Sequence, residues 1–418
     1  MERYFKTTAG IDVHTETLVV SIRKQGERGE TGRTRTFETF HDALLEMVEW
    51  IRSEEVEVVG LESTGVYWMP VVRCIQLQLP HVTIWVVNPA HVKKVAGRKT
   101  DVSDSQWLAK LVMYGMVMPS FLPTIDQQEL RKLTRHRTKL VADQARYQNR
   151  IIKELESSGI KLASVCSDVL GKSARAMLEA ILEGGHTPEQ IAQFAYRSMK
   201  KKAPTIARAV AGSFSVSTAL VLRQLLRRYD DLAADIATLQ AEITKRLGPI
   251  SSELNLLQDI PGLDVVSGAA ILAEIGADMS HFGSADKLAA WGGVSPGSEE
   301  SAGKNKSGKT RKGDKYLRTT LVQCAWAAVR TKGTFWQQKF KKLARLGRTK
   351  AIVAIARRML VAIYYILRDR TPYREPALPP PSPRRIPALL RRYKSQIEAL
   401  GFVVAISPIQ PPPAQELS

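Results

Sequence analysis

The 418-residue chain has only three cysteines, Cys74, Cys166 and Cys324, and they lie far apart. They can build neither a disulfide framework nor a cysteine-based zinc cluster. No apolar run approaches the ~18–20 residues needed to span a bilayer, and the opening MERYFKTTAGIDVH lacks the apolar stretch of a secretion signal. These absences predict a soluble, reducing, cytoplasmic setting without a membrane partner. The first 120 residues also lack any positive excess, with 14 basic and 15 acidic side chains, whereas residues 121–418 carry 47 and 26. The formal net charge of +20 therefore sits in the second part. A near-neutral start joined to a basic remainder predicts that chemistry and polyanion binding are divided between them, and nucleic acid is the expected polyanion.

What is present suffices for two or three domains: 44% of the residues are hydrophobic, enough for ordinary cores. Alternating and helical periods are interleaved over the first 120 residues. Strands are expected over 6–13, 17–23, 34–40, 56–61 and 82–87, with helices over 42–51, from about 66, and from Asp101 to about Met116. This is an α/β plan for one domain, residues 1–122. From 123 to 250 the pattern is helical only. One long basic helix, 125–158, contains no Gly or Pro. A second carries Leu222, Leu225, Tyr229, Leu232, Ile236, Leu239, Ile243 and Leu247 at intervals of 3 and 4, the seam of a coiled-coil arm that Gly248-Pro249 ends. Residues 160–212 between them read as short helical pieces without a chemical motif. A third, mainly helical unit covers 251–370. The tail, 371–418, holds 11 of the 21 prolines and reads as extended, with one short helix around 389–400.

Carboxylates mark the first domain. Asp12 ends one apolar strand (AGIDVH), Glu62 ends another (VVGLEST), and Asp101 and Asp104 are spaced i, i+3 in KTDVSDSQWLAKL. Carboxylates at strand ends and on a helix face can converge on one or two Mg²⁺ ions, which take hard oxygen ligands and promote phosphodiester displacement. Each also has an ordinary reading: Asp12 as a turn former, Asp101 as a helix cap, and Asp104 as a first-turn acid favoured by the helix dipole.

In the third unit, residues 291–318 read WGGVSPGSEESAGKNKSGKTRKGDKYLR. From Lys304 to Arg318, Lys304, Lys306, Lys309, Arg311, Lys312, Lys315 and Arg318 stand against one acid, Asp314, and Gly303, Gly308 and Gly313 allow backbone to approach a phosphate closely. Ser295, Ser298, Ser301 and Ser307 are candidate nucleophiles, each needing a base, a metal or a charge-stabilised transition state. No His lies within the loop, so any serine chemistry there is not Ser–His. Taken by itself, the loop reads first as a basic segment that touches nucleic acid without chemistry. Upstream, LQDIPGLDVVSGAAILAEIGA is either a helix-hairpin-helix that offers N–H groups to a phosphate or an ordinary helical hairpin.

Together, GIDVHTETLVVSI, VGLESTGVYW and GRKTDVSDSQWLAKL resemble the N-terminal domain of the bridge-RNA-guided insertion-sequence transposases. IPGLDVVSGAAILAEIG, FGSADKLAAWGGVSP and ESAGKNKSGKTRKGDKYLRTTLVQCAWAA resemble their C-terminal serine domain. The resemblance covers most of the chain in order. It implies a RuvC-like, ribonuclease-H-like Asp-Glu-Asp-Asp domain whose metal ligands fall on Asp12, Glu62, Asp101 and Asp104, with Mg²⁺ as cofactor. It implies Ser301 as the nucleophile that forms a transient phosphoserine link to DNA, donor and target DNA as partners, and a noncoding guide RNA. It further implies a nucleoid-associated homo-oligomer, a dimer or tetramer joined through the coiled coil, whose acidic site and serine come from different protomers. Two departures stand out. The residue after the second helical Asp is commonly Ala in the family and is Ser105 here. The usual Gly-Leu-x-Pro reads Gly293-Val294-Ser295-Pro296, which leaves Ser295 and Ser298 beside Ser301. A carboxylate-only junction-resolving nuclease and a non-enzymatic nucleic-acid scaffold are the rival readings.

Overall fold

The computed structural model describes residues 4–26, 29–63, 65–92, 103–297, 300–301, 304–305, 310, 312–377 and 386–407; at positions 90, 91, 300, 301, 304 and 305 this covers the backbone only. Five strands form one sheet: β1 Thr7–Val13, β2 Thr17–Gly26, β3 Gly29–Glu38, β4 Val58–Glu62 and β5 Thr83–Val87, in the order β3-β2-β1-β4-β5. The first three are antiparallel neighbours, whereas β4 runs parallel to β1 and β5 parallel to β4. The third strand starts five residues earlier than the sequence predicts because it pairs with β2 along its whole length, from Thr17↔Glu38 to Gly26↔Gly29.

Helices α1 His41–Ser53 and α2 Trp68–Gln78 cover one sheet face, where Ala9, Ile11, Val59 and Leu61 meet Met47, Ile51, Val72 and Ile75. The strand period of two sends the intervening residues to the other face, under α4 (Asp104–Met113), which follows the short α3 (Pro89–Val92). Gly10 and Gly60 lie on that face, and the absence of side chains there lets α4 sit directly on the strands. The helix expected to open at Asp101 opens at Asp104, because Ser103 is its N-cap and accepts the Gln106 N–H. Asp101 itself lies outside the described residues.

Two long helices follow, α5 Ile125–Ser157 and, after a helical insertion, α10 Val216–Arg246. Leu130 of α5 shares a core with Ile243, while Ile151 and Leu155 share another with Leu222 and Leu226, so the two run antiparallel for ~35 Å at 1.5 Å per residue. Every residue of the eight-member seam, seven on α10 and Leu247 at its C-cap, is buried or half-buried. The insertion comprises α6 Leu162–Val165, α7 Lys172–Glu183, α8 Pro188–Ala192 and α9 Ala203–Val210, packed around Met177, Leu178 and Ile206 at the far end of the helix pair.

The remaining chain is mostly helical: α11 Ser251–Gln258, α12 Val265–Ile275, α13 Ala285–Trp291, a two-residue-strand hairpin of β6 Glu300–Ser301 and β7 Lys304–Asn305, then α14 Lys315–Arg330, α15 Phe335–Leu343, α16 Arg348–Asp369 and α17 Ile386–Glu398. Its core also takes in Leu130, Ile243 and Leu247, so the roots of both long helices are built into it. Helix α17 buries no residue. No described helix is long and apolar enough to cross a membrane.

Candidate active site and nucleic-acid interface

Parallel pairing of β1 and β4 runs to Ile11↔Leu61, and the next residue on each strand is a carboxylate, Asp12 and Glu62. Helix α4 brings a third. The Thr8 hydroxyl, early in β1, donates to the Ala109 carbonyl, while Gly10, further along, abuts the Ser105 carbonyl, so α4 runs opposite to β1. Its first residue, Asp104, therefore lies toward the carboxyl edge from which Asp12 and Glu62 emerge. The Asp12 side chain is about one-third exposed, and its Oδ2 stands 3.2 Å from His14 Nε2. Ser105 is fully buried, and its hydroxyl lies 2.8 Å from Ser21 Oγ on β2, which in turn lies 2.9 Å from Thr34 Oγ1 on β3. The buried Ser105 hydroxyl is thus satisfied, and it fastens α4 to the sheet beside Asp104.

Carboxylates at the ends of β1 and β4 and at the start of α4 are hard oxygen donors of the kind a divalent cation takes. Among the described residues no three ligating side chains stand close enough together to hold an ion. With Asp101 outside those residues, the fit is one of donor chemistry and placement.

The serine loop has a closed neck. Gly293 has φ +67°, and a Cβ on Gly313 would lie 2.3 Å from the Gly293 nitrogen and 2.5 Å from the Trp291 carbonyl oxygen, so the loop's two ends touch through glycine backbone. The Asp314 N–H donates to the Trp291 carbonyl. The Asp314 carboxylate caps α14, accepting from the Tyr316 and Leu317 N–H groups at 2.9 and 2.8 Å. It also accepts from Arg135 Nη2 at 2.8 Å. Arg135, on α5, makes two further hydrogen bonds of 2.7 Å to Glu274 on α12, which is 2% exposed and also receives Arg131 Nε at 3.0 Å. Burial pushes the Glu274 carboxyl up, against the pull of the two arginines. For Arg135, the carboxylates outweigh burial and hold the guanidinium more firmly protonated than usual.

Within the loop, Ser301 occupies β6 opposite Lys304 of β7, one position from the turn of the hairpin. Ser295 is buried shortly after α13 and its hydroxyl has no hydrogen-bond partner among the described residues, so it is not presented to a substrate. Ser298, Gly303, Lys306, Ser307, Lys309 and Arg311 lie outside the described residues. Lys312 and Lys315 are exposed, Arg318 is half-buried, and Lys315 Nζ sits 5.1 Å from the Tyr316 ring centre, whose ring Arg135 also overlies at 4.6 Å. Upstream, α11 and α12 form a hairpin, but Gly262 (φ +90°) turns into α14, where a Cβ would lie 2.4 Å from the Cys324 carbonyl oxygen. Helix packing accounts for that glycine without a phosphate. The clamp residues Arg131, Arg135 and Glu274 were not singled out in the sequence; the one local signal was an acid inside the apolar run ILAEIG.

Residues 9–159 match the transposase profile of the Asp-Glu-Asp-Asp domain of IS110, and residues 254–341 match the profile described as transposase IS116/IS110/IS902 family. The two matches cover more than half of the chain, and on them it belongs to the IS110/IS116 family of insertion-sequence transposases. It is 29% identical over 272 residues to the insertion element IS900 uncharacterized 42 kDa protein of Mycobacterium paratuberculosis, a match covering 59% of this chain and 65% of that protein. It is 24% identical over 277 residues to a probable family 20 transposase of Pseudomonas aeruginosa, covering 65% of this chain and 71% of that one. It is 23% identical over 297 residues to the transposase for insertion sequence element IS1111A of Coxiella burnetii, with 69% and 72% covered. The chain thus spans just under two thirds of the length of the first of these relatives.

Proposed function

We propose that this protein is a DNA transposase that cuts and rejoins donor and target DNA through a phosphoserine intermediate at Ser301. The observation that carries the reading is the coexistence, in family order, of a sheet edge bearing Asp12, Glu62 and Asp104 and a serine hairpin closed at its neck. The strand order, three antiparallel strands followed by two parallel ones, supports a ribonuclease-H-like, RuvC-like domain over residues 1–122. The antiparallel α5/α10 pair supports a coiled-coil arm over 123–250, followed by the serine domain over 251–370 and the proline-rich tail over 371–418.

Asp12, Glu62, Asp101 and Asp104 would hold Mg²⁺, which when bound supplies Lewis-acid stabilisation of the charge that develops on phosphate oxygens. Ser301 Oγ forms its bond to phosphorus as the bond to the leaving sugar oxygen breaks; the serine proton passes to solvent and the leaving oxygen takes one up. Rejoining reverses this with a new sugar hydroxyl. Lys304, Lys306, Lys309, Arg311, Lys312, Lys315 and Arg318, with the Gly303 backbone, hold the phosphates on either side. Burial of Ser295 supports Ser301 over that neighbour. Guidance by a noncoding RNA, and a homo-oligomer joined through the arm with active sites shared between protomers, belong to the same proposal.

Denaturing electrophoresis of the protein incubated with its insertion-sequence ends tests it. Wild type should yield a covalent protein–DNA species, and Ser301→Ala should bind DNA equally well but form none. Metal-dependent cleavage without an adduct, unchanged in Ser301→Ala, would instead identify a nuclease that uses the carboxylates alone. Unaltered activity in Asp12→Asn would remove the metal site.

A further inference from the structure

The helical insertion at the far end of the arm lies between the two family-matched segments and carries its own hydrophobic core. Residues 190–229 contain eight basic side chains and no acidic one. Five of the eight, Arg197, Lys200, Lys201, Lys202 and Arg208, are exposed and fall on the 3₁₀ turn Arg197–Lys202 and the helix α9 that continues it. Just before the turn, Ala195 is buried in the core, while its neighbours Phe194 and Tyr196 are 44% and 47% exposed. The Tyr196 N–H donates to Ser173 Oγ at 2.9 Å, which ties this edge to the start of α7. The Tyr196 ring then collects two cations, Lys172 Nζ at 4.6 Å and the Arg197 guanidinium at 5.3 Å from its centre. Asp168, the carboxylate that borders the patch near Gly171, is engaged by Gln148 and by the Leu170 N–H.

From this arrangement we infer that the Phe194–Lys202 edge is a binding site for unpaired DNA. Five cations without a neutralising acid on their own segment repel one another, and a phosphate backbone relieves that repulsion. Exposed aromatic rings flanked by cations add a face on which bases stack, and only bases outside a duplex can use it. A duplex would engage the cations and leave both rings idle. The choice of DNA over RNA rests on the transposase reading above, since strand exchange unpairs DNA; the patch itself does not depend on it.

The test measures binding of a short labelled DNA strand, its duplex, and RNA of the same sequence to the full-length chain by fluorescence anisotropy across a salt series. Replacing Lys200, Lys201 and Lys202 together by Ala should lower the slope of log Kd against log salt for the single strand by about 2, at ~0.7 per phosphate contact. Tyr196→Ala should weaken single-strand binding roughly 5- to 100-fold, as loss of one stacked base does, and leave duplex binding unchanged. Tyr196→Phe, which keeps the ring, should restore it. The readout is binding without catalysis, so failure of the catalytic reading and failure of this one give different results. Variants that bind every probe like wild type would overturn the site. Equal weakening of single strand and duplex by Tyr196→Ala would overturn the base-stacking role. Tighter, Tyr196-dependent binding of RNA would overturn the assignment to DNA.

Discussion

Gly10 has no room for a methyl group. A Cβ there would stand 2.1 Å from the Ser105 carbonyl oxygen and 2.4 Å from the Ala109 nitrogen, both backbone atoms of α4. Because rotamer changes cannot move backbone, Gly10→Ala must lift the helix off the sheet. The expected cost is about 1–3 kcal/mol, as for other overpacked sites, measured by chemical denaturation. Displacement of Asp104 should reduce metal-dependent activity beyond the loss of folded protein. The motif AGIDVH drew attention to its aspartate, and the strand-end placement of Asp12 and Glu62 was legible from apolar runs ending in an acid. The role of the glycine two residues earlier was not, because it depends on what packs across the sheet. The same holds for Ser105, whose burial depends on the Ser21 hydroxyl across the sheet.

At the scale of elements, α5 does more than extend an arm. Through Arg131 and Arg135 it joins α12 to the N-cap of α14, and so fixes the neck of the serine loop. Glu274→Gln removes the buried charge that two half-buried guanidiniums face, and breaking one member of a buried ionic group costs about 3–5 kcal/mol. A fall in unfolding free energy of that size, with DNA-adduct formation lost before global unfolding, is the expected result. Stability within about 0.5 kcal/mol of wild type, the usual range for surface sites, would show that the group is not a clamp. The long helices themselves were plain from their periods. Their clamp was not, because it joins residues 139 and 179 positions apart, a distance at which local spacing carries no information.

Across the whole molecule, described groups of three kinds fasten the α/β unit to the helical part. Arg73 of α2 pairs with Glu129 of α5 at 2.5 Å, Gln128 reaches Gln76, and Phe121 inserts against Phe282 and Trp291. The hydrogen bond from Arg73 holds the Glu129 carboxyl below its usual range. A carboxyl lowered in the folded state contributes stability above its unfolded pKa and loses it as pH falls through the folded one. Both side chains are partly exposed, which keeps the contribution below about 1 kcal/mol. Glu129→Gln should therefore be slightly less stable than wild type at pH 7, with the difference vanishing as the pH falls below about 4, near the carboxylate range. Thermal melts at two pH values check this.

The sequence by itself determined the elements and their chemistry: the alternation of the sheet, the seam of α10, acids at strand ends, a glycine- and lysine-rich serine loop, and a charge confined to the second part. Each is a local pattern, set by the 2.0 and 3.6 residue periods and by side-chain type. Tertiary structure decided which of these patterns meet. It set α4 against the direction of β1, buried Ser295, turned Gly262 into α14, and closed the loop neck with arginines from a distant helix. It also gathered Lys172, Tyr196 and the lysines of residues 200–202 at the end of the arm, in a stretch where no motif could be read. Those outcomes depend on packing between segments far apart in the chain, which no local spacing encodes.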